Sequence, residues 1–128
     1  MTKVLLFDFF GVLYDGREVN LELLDFLGKL KGKYELAILT SSYYAVNDPE
    51  MKKELDKVFT KYFFTKDLEL SKEDAQCYAQ VARELSVKPT EILFVDDWRK
   101  RIKAAREAGC ETIFFKDNEN FFNDYPRL

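Results

Sequence analysis

Five short, almost wholly apolar runs set the strongest limit on what this chain can fold into: Val4 to Phe7, Leu36 to Leu39, Tyr62 to Phe64, Ile92 to Val95 and Thr112 to Phe115. A strand with one wet face alternates apolar and polar residues. A run without alternation suits a strand covered on both faces, as in a parallel sheet between two layers of helices. The segments between the runs have helical spacing and recognisable ends. Asn20 can cap a helix over Leu21 to Leu30, with Leu21, Leu24, Phe26, Leu27 and Leu30 as its apolar stripe. Asp48-Pro49 reads as the cap and first-turn proline of a helix reaching about Phe59. Ser71-Lys72-Glu73-Asp74 has the form of a capping box. It predicts a helix with Lys72 in its first turn and Ala75, Tyr78, Ala79, Ala82 and Leu85 on its buried side. A further helix after Asp97 buries Ile102, Ala105 and Ala108 and stops at Gly109. Strand and helix alternate along the chain. The expected fold is therefore an α/β three-layer sandwich, a doubly wound parallel sheet, with residues 1–128 as one domain.

Composition narrows the chemistry. The chain has 128 residues and no His, which excludes Ser/His/Asp and Cys/His nucleophile systems, His-ligated zinc and imidazole proton shuttles. Carboxylates, Lys, Tyr, Ser/Thr or Cys must carry any reaction. Twenty Lys+Arg against 23 Asp+Glu leave a net charge of -3, which is no footprint for nucleic acid or an anionic membrane. No apolar run approaches the roughly 18 residues of a membrane span, so a cytoplasmic location is expected. Cys77 and Cys110 form no metal or disulfide pattern and read as reduced thiols.

Three of the buried runs end in residues that a buried strand should not carry. Asp8 follows the first, Thr40 the second, and Asp96-Asp97 the fourth. In a parallel sheet all three ends lie on the carboxyl edge, where open α/β folds bind ligands. Lys72 reaches the same rim, because a helix returning between parallel strands starts at that edge. Crowded carboxylates raise one another's pKa unless positive charge sits among them, which a hard divalent cation, most plausibly Mg2+, and Lys72 would supply.

Arranged in order, these residues resemble the motifs of the haloacid-dehalogenase-like (HAD) superfamily, a capless, Rossmannoid version of its core. An apolar strand and D-x-D-G motif is similar to Phe7-Asp8-Phe9-Phe10-Gly11-Val12-Leu13. A strand ending in Thr or Ser matches Leu36 to Thr40, followed by Ser41. A Lys opening a helix after a short strand and loop matches Lys72, with Tyr78 in its usual place, and an acidic pair after a strand matches Asp96-Asp97. The resemblance implies a Mg2+-dependent phosphohydrolase or phosphotransferase. Asp8 would be the nucleophile, forming an aspartyl-phosphate, and Lys72 would share the catalytic role. Thr40, Ser41 and Lys72 would bind the phosphoryl oxygens; Asp8, the carbonyl of Phe10, Asp96 and Asp97 would hold the metal.

Two departures shape the expected activity. Phe10 stands where the family's second aspartate protonates the leaving oxygen, a contribution of about 10²- to 10⁴-fold. Activated phosphates such as acyl or aryl esters are then the expected substrates, unless Asp15 replaces the missing acid. About 30 residues separate Asp8 from Thr40, too few for a cap domain. An open site implies a phosphorylated macromolecule or small molecule, or a second copy of the chain as the lid. A smaller departure is Arg101, where relatives often carry Asn. One alternative is a catalytically impaired scaffold that binds a phosphate-bearing ligand or a protein; a lesser one is a dehalogenase. Arg99, Lys103 and Arg106 share a helical face beside Trp98, a solvated surface in the plainer reading and a polyanion contact in the sharper one; nucleic acid is not expected. Tyr43 and Tyr44 follow Thr40 on the rim and are expected to face a ligand or partner.

Overall fold

The structure, a computed structural model, describes residues 1–125. Its five strands are β1 (Val4–Phe7), β2 (Glu35–Thr40), β3 (Lys61–Phe64), β4 (Ile92–Asp96) and β5 (Glu111–Phe114). They form one sheet of order β3-β2-β1-β4-β5, every neighbouring pair parallel. The helices are α1 (Leu21–Gly28), α2 (Tyr44–Asn47), α3 (Pro49–Asp56), α4 (Thr65–Leu68), α5 (Ala75–Glu84), α6 (Arg99–Ala108) and α7 (Asn118–Asp124). The three-layer, doubly wound parallel sheet expected from the apolar runs is what the chain adopts, and the connection from β1 to β2 holds a loop and one helix in place of a cap.

Successive side chains of each strand enter opposite layers, which explains why the runs lack polar alternation. Leu5, Phe7, Leu36, Ile38, Leu93 and Val95 pack with Leu23 and Leu27 of α1, Leu55 of α3 and Phe121 of α7. Val4, Leu6, Ala37, Leu39, Ile92 and Phe94 face the other way, onto Cys77, Tyr78 and Val81 of α5 and Ile102 and Ala105 of α6. Each such side chain contributes about 1.5–3 kcal/mol by leaving water. The pair Phe114-Phe115 divides between the same two layers. Both cysteines are free and buried, and burial pushes the Cys77 thiol up to about 11 and that of Cys110 to about 12.

The helix ends differ from the sequence reading in detail. Asn20 does cap α1, accepting from the Leu23 N–H, but Leu21 is exposed and Leu23 takes the inward position. Asp48 caps α3 through the Met51 N–H, and the helix stops at Asp56, short of Phe59. At α5 the cap is Asp74, not Ser71, so Lys72 lies in the turn before the helix rather than in its first turn. Tyr78 and Ala82 are buried and Leu85 packs against the same cluster as the spacing suggested, while Cys77 and Val81 take the inward places given to Ala75 and Ala79, which are half-buried. Gly109 ends α6 in the left-handed conformation, as its position predicts. Among the described residues no helix is long and apolar enough to cross a membrane.

Candidate active site at the carboxyl edge

Parallel register brings the ends of β1, β2 and β4 to one edge, since Phe7 lies between Ile38 and Val95. The next residue, Asp8, donates its N–H to the Val95 carbonyl at 2.9 Å and so continues the strand to the rim. Thr40 ends β2 and Asp96 ends β4. Asp8, Thr40, Lys72 and Asp96 are the four buried polar residues at this edge, while Asp97 is half-buried.

Lys72 binds these strand ends together. Its Nζ donates to Asp8 Oδ1 at 2.5 Å and to the Leu39 carbonyl at 3.0 Å, and lies 3.3 Å from Asp96 Oδ2. The buried Tyr78 hydroxyl donates to the Lys72 carbonyl at 2.6 Å, fixing the turn from which the lysine extends. Helix α5 therefore orients Lys72 through a tyrosine on its buried face. The sequence reading placed Lys72 at this rim but inside the first turn of the helix, whereas it extends from the turn before it.

Each remaining candidate has a definite place. Asp96 Oδ1 accepts the Trp98 N–H at 3.0 Å, which shapes the turn into α6. The Thr40 hydroxyl oxygen accepts the Ser42 N–H at 3.1 Å, so its proton is what it can offer a ligand. Ser41 is exposed in the loop after β2. Gly11 has φ +90° and lies against Asp97, where a Cβ would fall 2.1 Å from Oδ2. The missing side chain is what lets the loop after β1 approach the acidic pair. The Asp15 carboxylate accepts the N–H groups of Glu18 and Arg17, and these bonds hold it below the usual carboxylate range, the opposite of what a substitute acid needs. Phe10 is 43% exposed at the head of the loop, in a cluster of rings with Phe9, Tyr14 and Tyr44. Tyr43 turns aside, its hydroxyl donating to Asp67 and its ring 4.6 Å from that of Phe64. Trp98 is exposed; Arg99 lies over the Phe114 ring and Arg106 donates to the Thr112 hydroxyl, so two of the three basic residues on that face already have partners.

One charged residue of the site entered the sequence reading only as a departure from the family pattern, with no role given to it. Arg101 Nη1 lies 3.8 Å from Asp8 Oδ2 and 3.7 Å from Asp96 Oδ1. The available signal was its place in the first turn of α6, the helix that opens directly after the acidic pair.

Three carboxylates face two cations here, and burial makes the imbalance felt. Burial is the largest influence on Asp8 and raises its carboxyl above the usual range, against the pull of Lys72 and Arg101. Burial and then the charge of Asp8 push Asp96 up to about 7. Asp8 Oδ2 and Asp96 Oδ2 are buried with no hydrogen-bond donor among the described residues. Carboxylate oxygens of Asp8, Asp96 and Asp97 approach within 4.8 Å of one another. Hard oxygen donors with uncompensated negative charge form a set that suits a hard divalent cation.

Comparison with known proteins gives the fold and the family. The chain is 32% identical over 117 residues to Enolase-phosphatase E1 of Methylococcus capsulatus, covering 83% of this chain and 45% of that protein. It is 25% identical over 127 residues to Bifunctional epoxide hydrolase 2 of Rattus norvegicus, covering 94% of this chain and 23% of the relative. It thus spans less than half the length of these curated relatives. A HAD family enzyme of Bacteroides thetaiotaomicron, solved in complex with magnesium and inorganic phosphate, has the same fold: TM-score 0.76 at 16% identity, covering 98% of this chain and 100% of that one. The family model of haloacid dehalogenase-like hydrolases matches residues 17–109, and the chain belongs to that family.

Proposed function

We propose that the chain carries out Mg2+-dependent phosphoryl transfer through an aspartyl-phosphate on Asp8, acting on activated phosphate esters. The observation that carries this reading is Asp8 itself: one carboxylate oxygen is held by Lys72, and the other is buried at the rim with no hydrogen-bond donor among the described residues. That second oxygen, Oδ2, is the natural attacking atom.

Asp8, Asp96, Asp97 and the Phe10 carbonyl would hold Mg2+, which when bound neutralises negative charge between nucleophile and phosphate. The rest follows from the chain's own groups. Asp8 Oδ2 attacks phosphorus, the bond to the leaving oxygen breaks, and that oxygen keeps the electron pair. Lys72, Thr40 and the exposed Ser41 bind the phosphoryl oxygens as charge redistributes, which is where most catalysis in phosphoryl transfer arises. Phe10 gives the leaving oxygen no proton, so leaving groups that depart as stable anions, acyl or aryl, are favoured. Water or an acceptor hydroxyl then takes the phosphoryl group from Asp8. The open rim accommodates a phosphorylated macromolecule or small molecule, and a second copy of the chain would serve as its cover. The likeness to a phosphatase, and to a fold solved with magnesium and inorganic phosphate, supports the reading.

Exposed Phe10 also favours a second reading, a scaffold that binds a phosphate-bearing ligand without turnover. Beryllofluoride with Mg2+, a mimic of the aspartyl-phosphate, separates the two. Thermal shift and fluorine NMR should show binding by the wild type and none by Asp8→Asn, accompanied by hydrolysis of acyl phosphate. Equal responses in the two proteins would sink the enzyme reading; binding without turnover would favour the scaffold.

A further inference from the structure

We propose that Arg101 is an anion receptor built into the metal corner of the site, one that strengthens phosphate binding and weakens divalent cation binding. The proposal rests on the phosphoryl-transfer reading and concerns the charge of the same site.

The geometry leaves the guanidinium unspent. Its separations from Asp8 Oδ2 and Asp96 Oδ1, 3.8 and 3.7 Å, are ion-pair distances outside hydrogen-bond range. Among the described residues its N–H groups therefore have charge partners but no acceptor. The guanidinium carbon lies 6.0 Å from the Trp98 ring centroid, at the edge of cation–π range. With 29% of its side chain exposed, Arg101 sits at the mouth of the site, whereas Lys72 at 4% sits at the floor. A ligand entering between them meets cations on two sides. A planar fork of N–H donors matches two oxygens of a phosphoryl group, which a lysine at the same place would not.

Charge counting gives the consequence. Asp8, Asp96 and Asp97 against Lys72 and Arg101 leave a net -1; an uncharged residue at position 101 would leave -2. A divalent cation is then less attracted to this chain's site, and a phosphate dianion is more attracted. One unit charge a few ångströms away in a partly exposed site is worth on the order of tenfold in binding. A net -1 still disfavours a dianion, so the site should bind phosphate with metal in place, bind it more tightly than it would without Arg101, take up metal more readily once the anion is there, and be inhibited by its inorganic phosphate product.

Titration calorimetry tests this with two probes: inorganic phosphate in the presence of saturating MgCl2, and MgCl2 in phosphate-free buffer, each on the wild type, Arg101→Asn and Arg101→Lys. Arg101→Asn should bind phosphate about tenfold more weakly and Mg2+ about tenfold more tightly. Arg101→Lys keeps the charge, so it should match the wild type for Mg2+ while losing part of the phosphate affinity. Unchanged affinities in Arg101→Asn would overturn the role of Arg101 and leave the phosphoryl-transfer reading standing. Binding of neither probe by any of the three proteins would overturn both.

Discussion

Lys72 Nζ and Asp8 Oδ1 lie 2.5 Å apart with both side chains 4% exposed, an ion pair all but closed to solvent. Removing one partner of a buried pair strands the other charge, at a cost of about 3–5 kcal/mol. Lys72→Met should therefore lose about that much stability in urea unfolding at neutral pH without metal. Asp8→Asn combined with Lys72→Met should recover part of the loss, because the stranded carboxylate is gone. Additive effects of the two substitutions would mean that the pair is not coupled.

Gly11 and Asp97 make a second testable contact. A methyl at residue 11 would fall 2.1 Å from Asp97 Oδ2, on a backbone with φ +90°. Asp97 is the half-buried member of the acidic set, so its carboxylate swings away more easily than the backbone moves. Gly11→Ala should lose about 1 kcal/mol to the unfavourable φ. It should also weaken Mg2+ binding by about tenfold or more, towards the affinity of Asp97→Ala. Calorimetry that finds Gly11→Ala equal to the wild type would show that Asp97 is not a ligand in its present position.

What could be read beforehand follows from where the determinants lie. Val4 to Phe7 and Ile92 to Val95 announce doubly covered strands because burial on both faces leaves a mark in every residue. Asp8, Thr40 and Asp96 interrupt those runs at their ends, so parallel pairing alone brings them to one rim. Lys72 was legible as a residue but not in its setting: Asp74 competes with Ser71 for the cap, and the hold of Tyr78 on the Lys72 carbonyl is a tertiary contact. The reach of Arg101 to Asp8 depends on a long side chain whose direction no local pattern dictates. Single-turn helices such as α2 and α4 lack the length for a periodic signal, and the hydrogen bond of Tyr43 to Asp67 on the second of them is a contact that no local pattern announces.

The raised carboxyl of Asp96 gives stability a pH dependence. Its value moves from 3.8 to about 7, chiefly through burial and then through the charge of Asp8. Between these values the folded protein holds a proton that the unfolded chain has released, so this contribution is complete below 3.8 and is lost as pH rises through about 7. Metal-free protein should lose on the order of a few kcal/mol across that window. Asp96→Asn, whose amide oxygen can still accept from the Trp98 N–H, should flatten the profile of melting temperature against pH. Mg2+ should raise the melting temperature more at pH 8 than at pH 5.5, because protons compete with it for Asp96. A wild-type profile as flat as that of Asp96→Asn would contradict this assignment.

Phe10 makes the sharpest demand on the proposed chemistry. Its ring is 43% exposed and is 4.9 Å from that of Phe9 and 5.5 Å from that of Tyr14, so replacing it costs a rim contact rather than a core one. Phe10→Asp places a carboxyl group two residues beyond the nucleophile, where it can protonate a leaving oxygen. Hydrolysis of an alkyl phosphate needs that proton and should rise by about 10²- to 10⁴-fold. An acyl phosphate leaves as a stabilised anion and should change little, so the dependence of rate on leaving-group pKa should flatten. Steady-state rates with a series of aryl and alkyl phosphates measure that slope directly. If acyl and alkyl substrates accelerate by the same factor, then protonation is not what Phe10 withholds, and the restriction to activated phosphates loses its basis.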